Sequence, residues 1–374
     1  MSVNRRDHGD GGIDERSPGH FRLRWRVGDK RFSKSFHGSI TEARRELRRL
    51  IKSADDGQHV APARLVLADY LRDWLNADTG ISPKTRERYR QLVDRQIVPH
   101  LGTVALQKLR PVQVSDWHNV LLKTGLAART VGHAHRVLHR GLERAVALEI
   151  VSRNVAHPVS PPKVERIEIA ILTADQISDA LRRIEDHPLH SIAALAVATG
   201  MRRGEICSLA WGAVDLDAAT VRVDCSLEET AAGLRVKPPK TRHGHRTISL
   251  PKSTVEILRE HYRRQLEHRL LLGLGRSGAE DWVFPLFDSS PYPPDKLSRD
   301  WGNVVRDRKL PRVMFHALRH SHASALIAAG VDIVTVSKRL GHGSPAITLG
   351  VYAHLFNRTD ALAAQAMERA LGSS

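Results

Sequence analysis

The sequence is poor in cysteine, in acidic residues and in long apolar runs, and each shortage excludes something. Its 374 residues include two cysteines, Cys207 and Cys225. Two thiols in a chain of this length make no disulfide framework, and no CxxC pair is present to suggest a zinc or redox motif. A reducing cytoplasm is the expected setting. The longest apolar run, Ile192 to Ala198, falls far short of the roughly 20 residues that cross a bilayer. The first residues, MSVNRRDHGDGGIDERSPG, have no apolar core, so no signal peptide and no membrane partner are expected. There is no GxxxxGK[ST] phosphate loop and no internal repeat. The sequence points to no cofactor. Acidic residues number 41 against 58 lysines and arginines, leaving a net charge of +17 and a pI near 10.4. Such a surplus favours a polyanionic partner, nucleic acid before membrane. Arginine outnumbers lysine by 45 to 13, a bias that a GC-rich coding sequence would also produce.

The length predicts two or three domains. Residues 1–19 are polar and Gly-rich, and a disordered tail is expected there. FRLRWRV then alternates strictly, with Phe21, Leu23, Trp25 and Val27 on one face and Arg22, Arg24 and Arg26 on the other. That is a half-buried strand with a cationic outer face. Gly28-Asp29 turns it into a second strand, RFSKSF, and Ser39 with Glu42 forms a capping box that opens a helix. Residues 20–60 thus read as a small β-rich unit able to read DNA, although any strand of this kind needs a polar outer face. Residues 64–153 carry four helical patterns. Ser82-Pro83 opens one of them. RNVAHPVSPPKVERIE, rich in proline and charge, predicts a linker over 154–170. Residues 171–374 mix helices with three β-branched runs, ATVRVDCS, GLRVKP and HRTISL. The expected architecture is multidomain: a mostly helical domain, a mixed α+β domain and a small β-rich amino-terminal domain.

Residues 316–322, HALRHSH, hold three histidines and an arginine. His316 and His320 are four apart, the helical spacing of HExxH, but Ala317 stands where that motif needs its glutamate. With no third ligand pattern nearby, a metal site is not expected. An anion site needs converging cations and donors instead. His316 and Arg319 share a helical face. TGMRRGE, KPPKTRHGHR and LGHGSPAITLGVYAHL each set a basic residue beside a glycine, where backbone can approach a ligand. Singly, these are weak signals.

In order, TGMRRGEICSLAW, PPKTRHGHRTISLP, HALRHSHASAL and LGHGSPAITLGVYAHL resemble the tyrosine recombinases of the phage-integrase family, over most of 171–356. The two upstream segments resemble, more loosely, the arm-binding (20–60) and core-binding, SAM-like (64–153) domains of longer integrases. The resemblance implies that Arg202 and Arg319 grip the scissile phosphate. It implies that Lys240 protonates the leaving 5′-oxygen, that His316 assists proton transfer and that His342 bonds a non-bridging oxygen. Tyr352 would be the nucleophile, with Glu205 steadying the site. His243 and His245, beside Lys240, are further DNA-contact candidates, as are Arg22, Arg24 and Arg26. His320 and His322 are left out of the site, and Arg203 is expected in a salt bridge. Two arginines can each present paired donors to phosphate oxygens, which lysine cannot. A 3′-phosphotyrosine intermediate conserves the bond energy, so no ATP is needed. The implied function is site-specific recombination that integrates and excises a phage or other mobile element. The expected partners are double-stranded attachment sites, three further copies in a synaptic homotetramer, a host DNA-bending protein and an excision factor. Two other readings stay open: a type IB topoisomerase-like nicking-closing enzyme and a non-catalytic DNA-binding regulator.

Overall fold

The computed structural model describes residues 11–27, 30–55, 65–165, 170–239, 242–353, 364 and 367–372. The chain divides into two compact units, residues 1–165 and 166–374.

The first unit begins with a three-stranded antiparallel sheet. Its strands are β1 (Gly12–Ser17), β2 (His20–Val27) and β3 (Lys30–His37), in the order β1-β2-β3. Strand β2 alternates as its sequence requires: Phe21, Leu23 and Trp25 are buried, while Arg22, Arg24 and Arg26 are exposed. Helix α1 (Ile40–Asp55) supplies Ala43 and Leu47 to the same small core. Glu42 and Ser39 form the expected capping box, with the Ser39 amide donating to Glu42 at 2.8 Å and the Glu42 amide to Ser39 Oγ at 3.3 Å. Strand β1 departs from the expectation of a disordered tail through residue 19. GIDERS carries one large apolar side chain, Ile13, so its pattern is silent. Its order comes from the ladder, in which Ile13 faces Leu23 and Asp14 faces Arg22.

Helices follow: α2 (Leu67–Ala77), α3 (Pro83–Leu92), α4 (Val98–Leu101), α5 (Pro111–Lys123) and α6 (Ala128–Ala147). A single π-helical turn, Val93–Ile97, joins α3 to α4. Pro99 lies just beyond it and has no N–H for the regular bond to Arg95, which favours the wider turn. Leu71, Leu75, Val93, Ile97, Val114, Trp117, Leu138 and Leu142 form the core. Gly141 is needed there, because a Cβ would sit 2.6 Å from Leu71 Cδ2. The stretch expected to begin a linker at 154 still belongs to this core. Asn154 is buried and donates to the His139 carbonyl at 3.0 Å and to Glu143 at 2.7 Å, and Ala156 is fully covered.

The second unit opens with α7 (Ala174–Arg183), capped by Thr173 and Gln176 as the sequence predicts. Then come α8 (His190–Thr199) and α9 (Arg203–Cys207). Strands β4 (Val214–Asp215), β5 (Thr220–Val223), β6 (Ser226–Thr230), β7 (Gly233–Lys237) and β8 (Arg246–Ser249) follow. They form an antiparallel sheet, β4-β5-β8, and a separate β6–β7 hairpin. Strand β6, SLEET, is too acidic to register as a strand in sequence; it is held by pairing, Leu227 opposite Val236. The helices that follow are α10 (Lys252–Leu271), α11 (Pro294–Asp307), α12 (Phe315–Ala328), α13 (Ile333–Leu340) and α14 (Pro345–Tyr352). Buried α8 lies at the centre of this unit, its Ile192 and Leu195 sharing a core with Leu258, Trp301 and Leu318.

Candidate active site

Helix ends build the site. Helices α8 and α13 both stop at a glycine in the left-handed region, Gly200 (φ 64°) and Gly341 (φ 68°). A helix end leaves carbonyls without intrahelical donors and carries partial negative charge. Here arginines take that role. Arg319, from α12, donates to the Gly200 carbonyl at 2.6 Å and the Leu340 carbonyl at 2.8 Å. Arg202, just before α9, donates to the Gly341 carbonyl at 3.1 Å. Neither glycine tolerates a side chain: a Cβ on Gly200 would lie 2.6 Å from His322, and one on Gly341 2.9 Å from Arg246.

Glu205 is the buried acid between these cations. Its Oε1 accepts from Arg202 at 2.8 Å, and its Oε2 accepts from Arg246 at 2.8 Å and from the Arg202 amide at 2.9 Å. Burial works to raise its pKa, but the bonds and charges of Arg246 and Arg202 outweigh that and hold it below the usual carboxylate range. Arg246 also donates to the Arg339 carbonyl at 2.7 Å. Arg319 is buried, and the covering protein, with Arg202 nearby, lowers its pKa to about 9. It still carries its charge at neutral pH.

Tyr352, at the end of α14, is 3% exposed and packs with Ala323, Ile327, Val336 and Leu340. Burial pushes its hydroxyl up to about 12. That hydroxyl lies 2.7 Å from His320 Nδ1. His342 Nδ1 lies 2.7 Å from Thr348 Oγ1. Burial, then Arg319 and Arg202, press His342 down to about 4, so its ring is neutral. His316 is exposed and meets the His320 ring edge-on, with centroids 5.1 Å apart. Desolvation, then Arg319, Arg202 and Arg203, lower its pKa.

Of the residues expected in the site, Arg202, Glu205, Arg319, His342 and Tyr352 thus lie on four segments that meet here, with His316 at the edge. Lys240 lies outside the described residues. His243 and His245 are exposed on the turn before β8, and His245 Nδ1 is 3.8 Å from Asp224. Arg22, Arg24 and Arg26 belong to the other unit. Arg203 pairs with Asp295 at 2.8 Å. Sequence reading missed two residues. Arg246 gave no signal beyond an arginine ahead of a β-branched run. His320 was set aside, although it carries the bond to Tyr352. Among the described residues, one group has metal-ligand atoms within 4.8 Å of one another, His139, Glu143 and His157 of the first unit. Glu143 and His157 are exposed, and Asn154 already occupies Glu143 Oε1.

Paired guanidiniums on helix ends, a phenol and neutral imidazoles suit nucleophilic attack on a phosphodiester. Residues 170–358 match the phage integrase family, and residues 66–122 match the N-terminal SAM-like domain of phage integrases. The chain belongs to the phage integrase family. An integrase of Streptomyces ambofaciens is 29% identical to this recombinase over 371 residues, 93% of each chain. A XerC-like tyrosine recombinase of Caldanaerobacter subterraneus is 24% identical over 350 residues, 87% of this chain and 89% of its own. Among solved structures, the Tn1549 transposon integrase in complex with a circular intermediate DNA superposes with a TM-score of 0.68. It is 19% identical, and the match covers 82% of this integrase and 99% of that chain. The integrase is a site-specific tyrosine recombinase, an enzyme that cuts and rejoins DNA. The topoisomerase-like and non-catalytic readings are not favoured. No helix among the described residues is long and apolar enough to cross a membrane.

Proposed function

We propose that Tyr352 attacks the scissile phosphate while Arg202 and Arg319 hold its non-bridging oxygens. The observation that carries this reading is the seating of both guanidiniums on the carbonyl ends of α8 and α13, with His342 and Tyr352 on the segments that follow. Donors fixed before DNA arrives need no reorganisation as charge builds in the pentacoordinate transition state. Arg202 reaches the site through Glu205, which orients it and shares Arg246. His342 bonds a phosphate oxygen, and His316, beside both arginines, assists at the edge of the site. Lys240 supplies the proton to the departing 5′-oxygen. His243 and His245, on the turn before β8, meet the DNA backbone.

Residues 171–374 are the catalytic domain. The helical segment from 64 through the Asn154–Ala156 stretch packed in its core grips the core site, the residues beyond it up to 170 form the connector, and the sheet that begins with β1, with α1, engages arm-type sites through Arg22, Arg24 and Arg26. Recombination between two duplexes cuts four strands, and one tyrosine serves each cut, so a homotetramer is the working assembly. The substrate is the attachment DNA of a phage or other mobile element in the bacterial cytoplasm, with a host DNA-bending protein and an excision factor assisting. A nicked core-site duplex that loses its 5′-hydroxyl fragment on cleavage tests the reading. The wild type is expected to accumulate a covalent adduct. Tyr352→Phe binds the same DNA through its phosphate contacts and forms none. An adduct with the Phe variant would move the nucleophile elsewhere.

A further inference from the structure

We propose that His320 takes the phenolic proton of Tyr352 as the tyrosine attacks, and returns it when the strand is rejoined. This rests on reading Tyr352 as the nucleophile. Among the described residues, the hydrogen-bond partner of the Tyr352 hydroxyl is His320, at 2.7 Å, across 32 residues of chain. The contact follows from α12. Arg319 turns inward onto two carbonyls, and His320, the next residue, emerges beside the end of α14.

The chemistry needs an acceptor at that point. A buried phenol with a pKa near 12 is protonated at neutral pH and a poor nucleophile until its proton leaves. The other histidines are placed for other tasks. His342 spends Nδ1 on Thr348, and His316 touches the His320 ring edge and lies near the arginines. The groups around His320 are His316 and Arg319 on its own helix, His342 after α13 and Tyr352 on α14. Burial first, then His316 and Arg319, hold its pKa at about 4, so the ring is neutral and Nδ1 is free to accept from the hydroxyl. The tautomer this requires carries its proton on Nε2. A bound phosphodiester adds negative charge beside the ring and favours the imidazolium, so the base strengthens when substrate is in place.

The step balances. The Oη–phosphorus bond forms, the phosphorus–O5′ bond breaks, the phenolic proton passes to Nδ1, and the 5′-oxygen takes a separate proton from the general acid. In rejoining, a 5′-hydroxyl attacks and passes its proton to the now-deprotonated general acid, the phosphorus–O5′ bond forms, the phosphorus–Oη bond breaks and the imidazolium reprotonates the departing phenolate.

The test is single-turnover cleavage of the nicked core-site duplex by the full chain. His320→Ala and His320→Gln are each made with tyrosine or a ring-fluorinated tyrosine at position 352. General-base loss slows cleavage by about 10² to 10⁴-fold. Both variants are expected to fall in that range at unchanged DNA affinity and melting temperature. Glutamine keeps a hydrogen bond but cannot take a proton. The fluorinated phenol is far more acidic, so it is expected to restore most of the rate to the variants and to remove the acidic limb of the wild-type pH profile. Wild-type rates for His320→Gln, or an unmoved wild-type limb with no rescue in either variant, would overturn the proposal and leave His320 a packing residue. The wild-type arm decides even if a variant folds poorly. An adduct from Tyr352→Phe would overturn the nucleophile reading itself, whereas full-rate His320→Gln beside an inert Tyr352→Phe overturns only the role of the histidine.

Discussion

Both units bury histidines, and the two sets teach different things. In the first unit His118 Nε2 and His135 Nδ1 face each other at 3.1 Å between α5 and α6, with Trp117 against the His118 ring. In the second, His320 and His342 lie among Arg319, Arg202, Arg246 and Tyr352. Burial lowers basicity in both places, to about 4 for His135 as for His320. A depressed histidine therefore marks a covered ring, not a site. What separates the sets is where the hydrogen bonds lead. The first pair closes on itself. The second opens onto a phenol and onto cations held at helix ends, the arrangement proposed to act on a phosphate.

The largest expected effect tests this difference. Arg319→Lys keeps a charge but cannot span the Gly200 and Leu340 carbonyls while facing a phosphate, because its donors radiate from one atom. Losing one preorganised donor costs about 10² to 10³-fold in rate. Single-turnover cleavage of the nicked duplex is expected to fall by that factor, while His135→Leu leaves the rate on saturating DNA unchanged. If His135→Leu slows the chemical step as much as Arg319→Lys, the distinction between the two clusters fails.

The sequence made the elements legible more readily than the contacts between them. Helices α2, α5 and α6 follow from apolar spacing, and the caps at Ser39 and Thr173 from paired side chains three residues apart. Strands β1 and β6 escaped because their side chains are mostly polar and their order comes from the neighbouring strand. In the site, the glycines of TGMRRGE and LGHG signalled close backbone approach. They did not say that the approaching groups would be Arg319, 119 residues from Gly200, and Arg202, 139 residues from Gly341. Arg246 and His320 also have partners far beyond any local window, Glu205 at 41 residues and Tyr352 at 32, and no local pattern encodes such pairs.

A smaller effect separates the clusters by pH. His118 and His135 are pushed down by burial, so the folded chain takes up protons there less readily than the unfolded chain, whose histidines have a pKa near 6.5. The unfolded state then binds more protons. Their contribution is complete above about pH 6.5 and declines as pH falls toward 4, where the folded His135 protonates. At pH 5 the loss from His135 alone is about 2 kcal/mol. Hydrogen exchange is expected to show α5 and α6 amides losing protection between pH 7 and pH 5 before DNA is added. Replacing both histidines with leucine should flatten that dependence. Equal loss in the leucine pair would assign the pH sensitivity to other groups.

The smallest effect concerns arginines whose partners are themselves open to solvent. Arg22, Arg24 and Arg26 stand exposed on β2, and Arg24 pairs with Asp14 at 2.6 Å in a position more than half open to solvent. An exposed pair of this kind contributes about 0 to 1 kcal/mol to stability. These side chains contrast with Arg319: same chemistry, but open to solvent. On the proposed role they neutralise phosphates of arm-type DNA without touching the chemistry. Each charge lost should then reduce the slope of log affinity against log salt by about 0.9, with core-site cleavage unchanged. Arg22→Gln, whose partner is the neutral Ser33 hydroxyl at 3.2 Å, is expected to show that full change. Arg24→Gln should show less, because Asp14 already offsets its charge, and Asp14→Asn should tighten binding. Identical slopes for all three variants and the wild type, measured by titration on full-length attachment DNA, would mean that this sheet face does not meet DNA and that its arginines are only the solvated side of a half-buried strand.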